Sequence, residues 1–159
     1  MPEKETIERA RRDKRQGKSA STQAGEFVRE EMHHIREGKH GARSSKQAIA
    51  IGLNKARRAG VKLGTPKGAS ERTRQSARSA SAHAGTEPSP RRSRAVLGAL
   101  RHEGHSAASH SELAQHARSV ARHRSAASRH RAAMKAVRTK GAAGRKAAAR
   151  KAARTRARG

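Results

Sequence analysis

The chain has 159 residues and sets 39 Lys and Arg against 12 Asp and Glu, a formal net charge of +27. It has no Cys, Trp or Tyr and a single Phe, Phe27, which excludes disulfides, thiolate catalysis and Cys-type zinc sites, argues against aromatic stacking platforms of the OB or RRM kind, and leaves too few large apolar side chains for one large core. The charge is uneven: residues 1–60 carry 15 basic and 8 acidic side chains (+7), residues 61–159 carry 24 and 4 (+20), and an excess of that size attracts a polyanion, of which nucleic acid is the densest in a cell.

Residues 1–20 form a charged N-terminal segment in which Ile7 is the only large apolar residue besides Met1, so a solvated, fraying helix is expected. The segment has no apolar h-region, and the chain has no apolar run of 18 residues; a signal peptide and a membrane span are therefore not expected, and the expected compartment is cytoplasmic. Thr22 is a candidate N-cap for a helix QAGEFVREEMHHIRE, with Val28, Met32 and Ile35 on one stripe and Phe27 at its edge. Arg29, Glu30, His33, Arg36 and Glu37 then face away. Gly38 to Gly41 interrupts this helix, and Ser44 or Ser45 caps a second, KQAIAIGLNKARRA, that stops at Gly60.

Ile49, Ile51 and Leu53 alternate as a half-buried strand would, whereas Ile49, Leu53 and Ala56 keep helical spacing. The serine cap, the alanine content, the terminal Lys55, Arg57 and Arg58, and the lack of a second strand to pair with favour helix. Gly52 costs about 1 kcal/mol within a helix but admits a close neighbour. Residues 21–64 thus read as an αα-hairpin module holding nine of the large apolar side chains, while the 96 residues after Leu63 hold seven. With so small a core the module is expected to gain stability from DNA, from homo-oligomerisation, or from both.

Residues 65–93 contain no apolar side chain larger than Ala, apart from proline, and read as a flexible Ser/Ala/Pro linker. Residues 94–140 read as a basic, Ala/His-rich helical region. In it Leu113, Val120, Ala127 and Met134 recur every seven residues, and His116, His123, His130 and Val137 lie three further on. That parallels a heptad seam carrying a row of imidazoles, the alternative being a solvated helix on which His pads the surface. Gly141 is a stop signal. Residues 141–159 form a cationic tail, RKAAARKAARTRARG, that resembles the Ala/Lys/Arg tails of linker-histone-like proteins and is helix-prone once phosphates neutralise it. The expected fold class is all-α: a short αα-hairpin plus an extended, partly disordered basic helical arm.

Residues 21–68, STQAGEFVREEMHHIREGKHGARSSKQAIAIGLNKARRAGVKLGTPKG, resemble a family of small basic bacterial proteins with a domain of unknown function built around a GKHG…SSKQAIAIGL core. Some members are labelled DNA-binding or plasmid-stabilisation proteins. The resemblance implies a bacterial source and a nucleic-acid role, and brings no catalytic or binding residues with it.

Ser89-Pro90-Arg91-Arg92 matches the Ser-Pro-basic-basic turn of linker histones, whose two cations enter A·T-rich minor grooves; plain linker sequence is the other reading, and the simpler one. Lys46, Gln47, Asn54, Arg57 and Arg58 share a face of the second helix and supply donors for phosphates and base edges. The expected phosphate contacts are Lys46, Arg57, Arg58, Arg91, Arg92, Arg145, Lys146, Arg150, Lys151, Arg154, Arg156 and Arg158.

Glu30-x-x-His33 and Glu31-x-x-His34 repeat the spacing of di-metal helical bundles, but in the absence of further bundle ligands they read as surface charge. His102, His105 and His110 lack supporting carboxylates beyond Glu103 and Glu112, so no metal and no cofactor is expected. With Asp13 the only aspartate and no Gly-rich phosphate loop, no enzyme and no small-molecule substrate is expected either. The function expected is a histone-like, nucleoid-associated protein that neutralises DNA, in preference to RNA, with little sequence selectivity. An RNA- or ribosome-associated protein, or a plasmid-maintenance or stress protein acting through a protein partner, is the alternative.

Overall fold

The computed structural model describes residues 2–65 and 68–157. Among these the chain is all-helical, with seven α-helices, one 3₁₀ turn and no strand. Two compact units divide it, Met1–His116 and Ala117–Gly159.

In the first unit, α2 (Ala20–Arg36) and α3 (Ser45–Arg58) form the hairpin. The α2 cap is Ser19, three residues before the expected Thr22. Ser19 has the extended backbone that a cap needs (φ −60°, ψ 153°), and its Oγ accepts from the Thr22 N–H. α3 is capped by Ser44, which accepts from the Gln47 N–H, so the ambiguous Ile49–Leu53 stretch is helix. Both helices end on a glycine in the left-handed region, Gly38 (φ 73°) and Gly60 (φ 86°). Lys39 N–H then reaches the His34 carbonyl at 3.0 Å and Val61 N–H reaches that of Ala56 at 3.0 Å, the paired closure that satisfies the last carbonyls of a helix.

The two helices touch backbone to backbone. Ala48, Gly52 and Ala56, each four residues from the next, are all buried on α3, and a Cβ added at Gly52 would stand 2.7 Å from Val28 Cα. One core cluster lies on each side of this contact. Phe27, Ala24, Ala56 and Val61 form one, together with Ala10, and Ile7, Leu53 and Leu63 pack at its edge. Met32, Ile35, Ala42 and Ala48 form the other, joined by Ala107 and Ala108 of the 3₁₀ turn Ser106–Ala108, with Val28, Ile49 and Leu113 around it.

Three expectations are corrected here. The N-terminal segment is not a solvated, fraying helix: α1 (Lys4–Arg15) buries Thr6, Ala10 and Asp13, and Arg9 Nε donates to Glu26 Oε2 of α2 at 2.7 Å. The stretch read as a flexible linker contains α4 (Glu71–Ala82), capped by Ser70, with Ala77 and Ala80 buried. α4 packs along α3, where Asn54 Nδ2 donates to Ser76 Oγ at 3.2 Å and Gly85 N–H to the Arg58 carbonyl at 2.8 Å. Glu30 and Glu31, read as surface charge, are 3 % and 0 % exposed. In each case small or polar side chains pack where only residues larger than Ala were counted as core formers.

After α4 come α5 (Pro90–Arg101), the 3₁₀ turn and α6 (His110–Arg122). The loop after α2 fastens to this region through Gly41 N–H to the Leu100 carbonyl (2.8 Å), Ala42 N–H to the Gly104 carbonyl (3.0 Å) and Arg36 Nε to the Ala108 carbonyl (2.9 Å).

The second unit takes in the end of α6 and all of α7 (Ala126–Arg156). None of its described residues is buried. α7 is broken at Gly141 (φ 60°, ψ −177°) into pieces spanning 126–140 and 142–156, so the expected stop acts as a kink. Residues 123–125 are not helical, which places His123 in a turn and breaks the seven-residue recurrence; no continuous heptad seam forms.

Two glycine substitutions separate close packing from helix propensity. Gly52→Ala is expected to destabilise by about 1–3 kcal/mol, because the clash with Val28 outweighs the propensity gain. Gly25→Ala, within α2 and with nothing within 4 Å of its added Cβ, is expected to stabilise by up to about 1 kcal/mol. Urea denaturation followed by far-UV circular dichroism measures both, and equal effects would refute the backbone contact.

Candidate functional site

The cations singled out in the sequence have different surroundings. Lys46 is exposed in the first turn of α3, and Arg58 is half-buried at its end. Arg57 is only 6 % exposed: its guanidinium donates to the Gly64 carbonyl at 3.3 Å and to Asn54 Oδ1 at 3.4 Å. Burial pushes its pKa down from the ordinary arginine value. Arg57 therefore braces the turn after α3, and Asn54 holds α4; neither is a free donor on the helix face.

Arg91 and Arg92 are exposed, but their Ser-Pro motif is the first turn of a helix. Ser89 precedes α5, Pro90 is its first residue, and Ser93 N–H donates to the Ser89 carbonyl at 2.9 Å. Two cations at the positive end of a helix dipole strengthen the local positive potential. Arg145, Lys146, Arg150, Lys151, Arg154 and Arg156 all stand exposed on the 142–156 piece of α7. Lys146, Arg150 and Arg154 repeat every fourth residue and share one stripe. Arg158 lies outside the described residues.

Arg58 and Arg92, 34 positions apart, line one groove of about 580 Å³ together with Lys39, Lys55 and Arg101. Its apolar wall includes Ile51, Val96, Leu97 and Leu100, and Val96 is 54 % exposed.

At the groove lies a set of groups in which Glu31 and His34, expected at the surface, meet partners from elsewhere in the chain. Lys55 Nζ stands 2.6 Å from Glu31 Oε2 and 3.7 Å from Glu30 Oε1. His34 Nε2 is 2.9 Å from Glu3 Oε1 and 3.9 Å from Glu30 Oε1, and His40 Nε2 is 3.4 Å from Glu31 Oε1. Lys39 Nζ reaches Glu3 at 3.4 Å and Glu37 at 3.0 Å. Hydrogen bonds first from His34 and then from Lys39 hold the Glu3 carboxyl below its usual range, and Glu37 chiefly raises the Lys39 pKa. Both oxygens of Glu31 and Oε1 of Glu30 are buried without a well-directed hydrogen bond, so the Lys55 contact is a charge contact of poor angle.

His33, which shares the Glu30-x-x-His33 spacing, is exposed and stands apart from the cluster. The spacing Glu31-x-x-His34 was visible in the sequence; the third member, His40, arrives only through the left-handed turn at Gly38.

No helix among the described residues is long and apolar enough to cross a membrane. No family model, curated protein or solved structure matches the chain.

Because the buried Glu30 and Glu31 share the half-buried Lys55 as counter-charge, Lys55→Met is expected to cost on the order of 3 kcal/mol, the usual penalty for stranding a buried charge. Adding Glu31→Gln to Lys55→Met is expected to recover part of that loss. Denaturation of the wild type, both single variants and the double variant measures the coupling; strictly additive effects would show that the contact is energetically idle.

Proposed function

We propose that this chain is a histone-like, non-catalytic protein that neutralises duplex DNA with little sequence preference, acting with the bacterial nucleoid in the cytoplasm. The observation that carries this reading is the second unit. No Asp or Glu follows Glu112 in the sequence, and the described ion pairs all lie between Glu3 and Arg78. The cations from Arg118 to Arg156 are exposed, all but Arg124 on helices that bury no residue.

Such an arm has no internal counter-charge and no core to build. An outside polyanion lowers its self-repulsion, and neutralising phosphates releases condensed counterions. Arg is the commoner cation, 27 to 12 over Lys, and its planar fork suits phosphate and narrow minor grooves. On the first unit, Arg58 and Arg92 line one groove, and Lys46 and Arg91 are further exposed cations. The family resemblance of residues 21–68 points the same way.

Fluorescence anisotropy against a 30-bp DNA duplex at several salt concentrations tests the reading. Engagement of the seven cations from Arg145 to Arg158 contributes roughly −6 to the slope of log K against log[salt], from about −0.9 per phosphate. Deleting residues 142–159 is expected to remove that contribution while leaving the thermal unfolding of the first unit in place. An unchanged slope would refute the arm's role, and preference for an RNA duplex at equal phosphate concentration would favour the RNA- or ribosome-associated alternative.

A further inference from the structure

We propose that Glu31, His34 and His40 bind a first-row divalent transition ion, with zinc the ion whose chemistry they fit. A ring nitrogen from each histidine and a carboxylate oxygen of Glu31 lie within 4.8 Å of one another. The inference is independent of the nucleic-acid reading, because no member of this set belongs to the proposed phosphate-binding cations.

The geometry around His40 carries the argument. Its Nδ1 lies 3.0 Å from the Gly41 carbonyl, which can only accept, so Nδ1 bears a hydrogen. In the neutral ring the lone pair is then on Nε2, the atom facing Glu31 Oε1 at 3.4 Å. Two electron-rich atoms in a buried site repel unless something positive stands between them, either a proton or a metal ion.

Two donors each about 2.0–2.1 Å from a tetrahedrally held zinc stand about 3.3 Å apart, and the 3.4 Å between His40 Nε2 and Glu31 Oε1 matches that spacing for this pair, within a set that spans up to 4.8 Å. A backbone carbonyl on the far ring nitrogen is also the usual means of orienting a metal-binding histidine.

The second observation is Glu31 itself. It is 0 % exposed, and neither carboxylate oxygen accepts a well-directed hydrogen bond, an expensive state for a buried anion. Lys55 lies against Oε2, which leaves Oε1 as the donor atom. His34 Nε2 contacts Glu3 Oε1 at 2.9 Å; a carboxylate accepts, so Glu3 orients that ring with its Nδ1 left as the nitrogen for the ion. Two buried carboxylates, Glu30 and Glu31, thus share the single ammonium group of Lys55. Two imidazoles with one carboxylate favour zinc, copper, nickel or cobalt over magnesium and calcium.

The ion would join the C-terminal half of α2 to the loop that Gly41 and Ala42 fasten onto residues 100–104. Binding only the folded state, it would raise the stability of the first unit.

The test uses the full chain with zinc chloride and cobalt chloride as probes. Calorimetry is expected to show one tight zinc equivalent that raises the melting temperature, and cobalt is expected to develop visible ligand-field absorption. His34→Gln and His40→Gln are each expected to weaken binding at least about tenfold and to abolish the cobalt spectrum, whereas His33→Gln and His123→Gln leave both unchanged. Metal-free circular dichroism checks that each variant folds. Should His40→Gln fail to fold, NMR of the wild type reports instead, with zinc shifting the His34 and His40 ring signals and sparing His33. Absence of tight binding, or equal affinity in the His34 and His40 variants, overturns the proposal.

Discussion

The first unit depends on the absence of a side chain at Gly52. A chain with one aromatic residue and few large aliphatic ones cannot hold two helices together by interdigitating bulky groups. It brings their backbones together instead, with Ala48, Gly52 and Ala56 on α3 meeting Val28 on α2. Dispersion contacts made by backbone and methyl groups at short range replace those that larger side chains would make at longer range. The close crossing also sets the reach of Lys55, one turn before the end of α3, to the two carboxylates of α2. An added methyl at Gly52 would therefore strain both the packing and the charge cluster.

Burying two adjacent carboxylates is costly, and a chain so rich in cations had exposed alternatives for every acid it keeps. Eight of its twelve acids lie in residues 1–60, and several are committed to cross-ties: Glu26 to α1 through Arg9, Glu3 to His34 and Lys39, Glu30 and Glu31 to Lys55. Acids are thus concentrated where the chain must fold against its own positive charge. They are absent from the arm, where positive charge is left uncompensated.

The hairpin was legible because its signals are local. Ser44, Gly60 and the 3.6-residue spacing of Val28, Met32 and Ile35 act within a turn or two, and Gly52 announced a close approach without naming the partner. What stayed hidden depends on long-range contact. Ala10, Ala77, Ala107 and Ala108 are buried, yet an alanine looks the same in sequence whether it packs or faces water. Glu30 and Glu31 looked like solvated charge because their burial follows from Lys55 and His40, which chain reversals at Gly38 and Ser44 carry back to α2. Arg57 looked like a free donor, and only the fold of the turn after α3 supplies Gly64 to hold it.

The arm poses the opposite problem, since its helices have nothing to pack on. Alanine and arginine are among the best helix formers, and Arg154 and Arg156 sit at the negative end of the α7 dipole, where cations stabilise. Against this, Lys146, Arg150 and Arg154 repel one another at four-residue spacing, and no acid in the arm offsets them. Propensity and repulsion oppose each other, and a nearby line of phosphates removes only the repulsion. The same sequence choice, alanine between cations with no acid, thus links helix formation to polyanion binding. It follows that helicity and binding should respond differently to salt: screening that loosens the contact with phosphate also supplies counterions that relieve the repulsion. The arm then keeps its helix while it releases its partner.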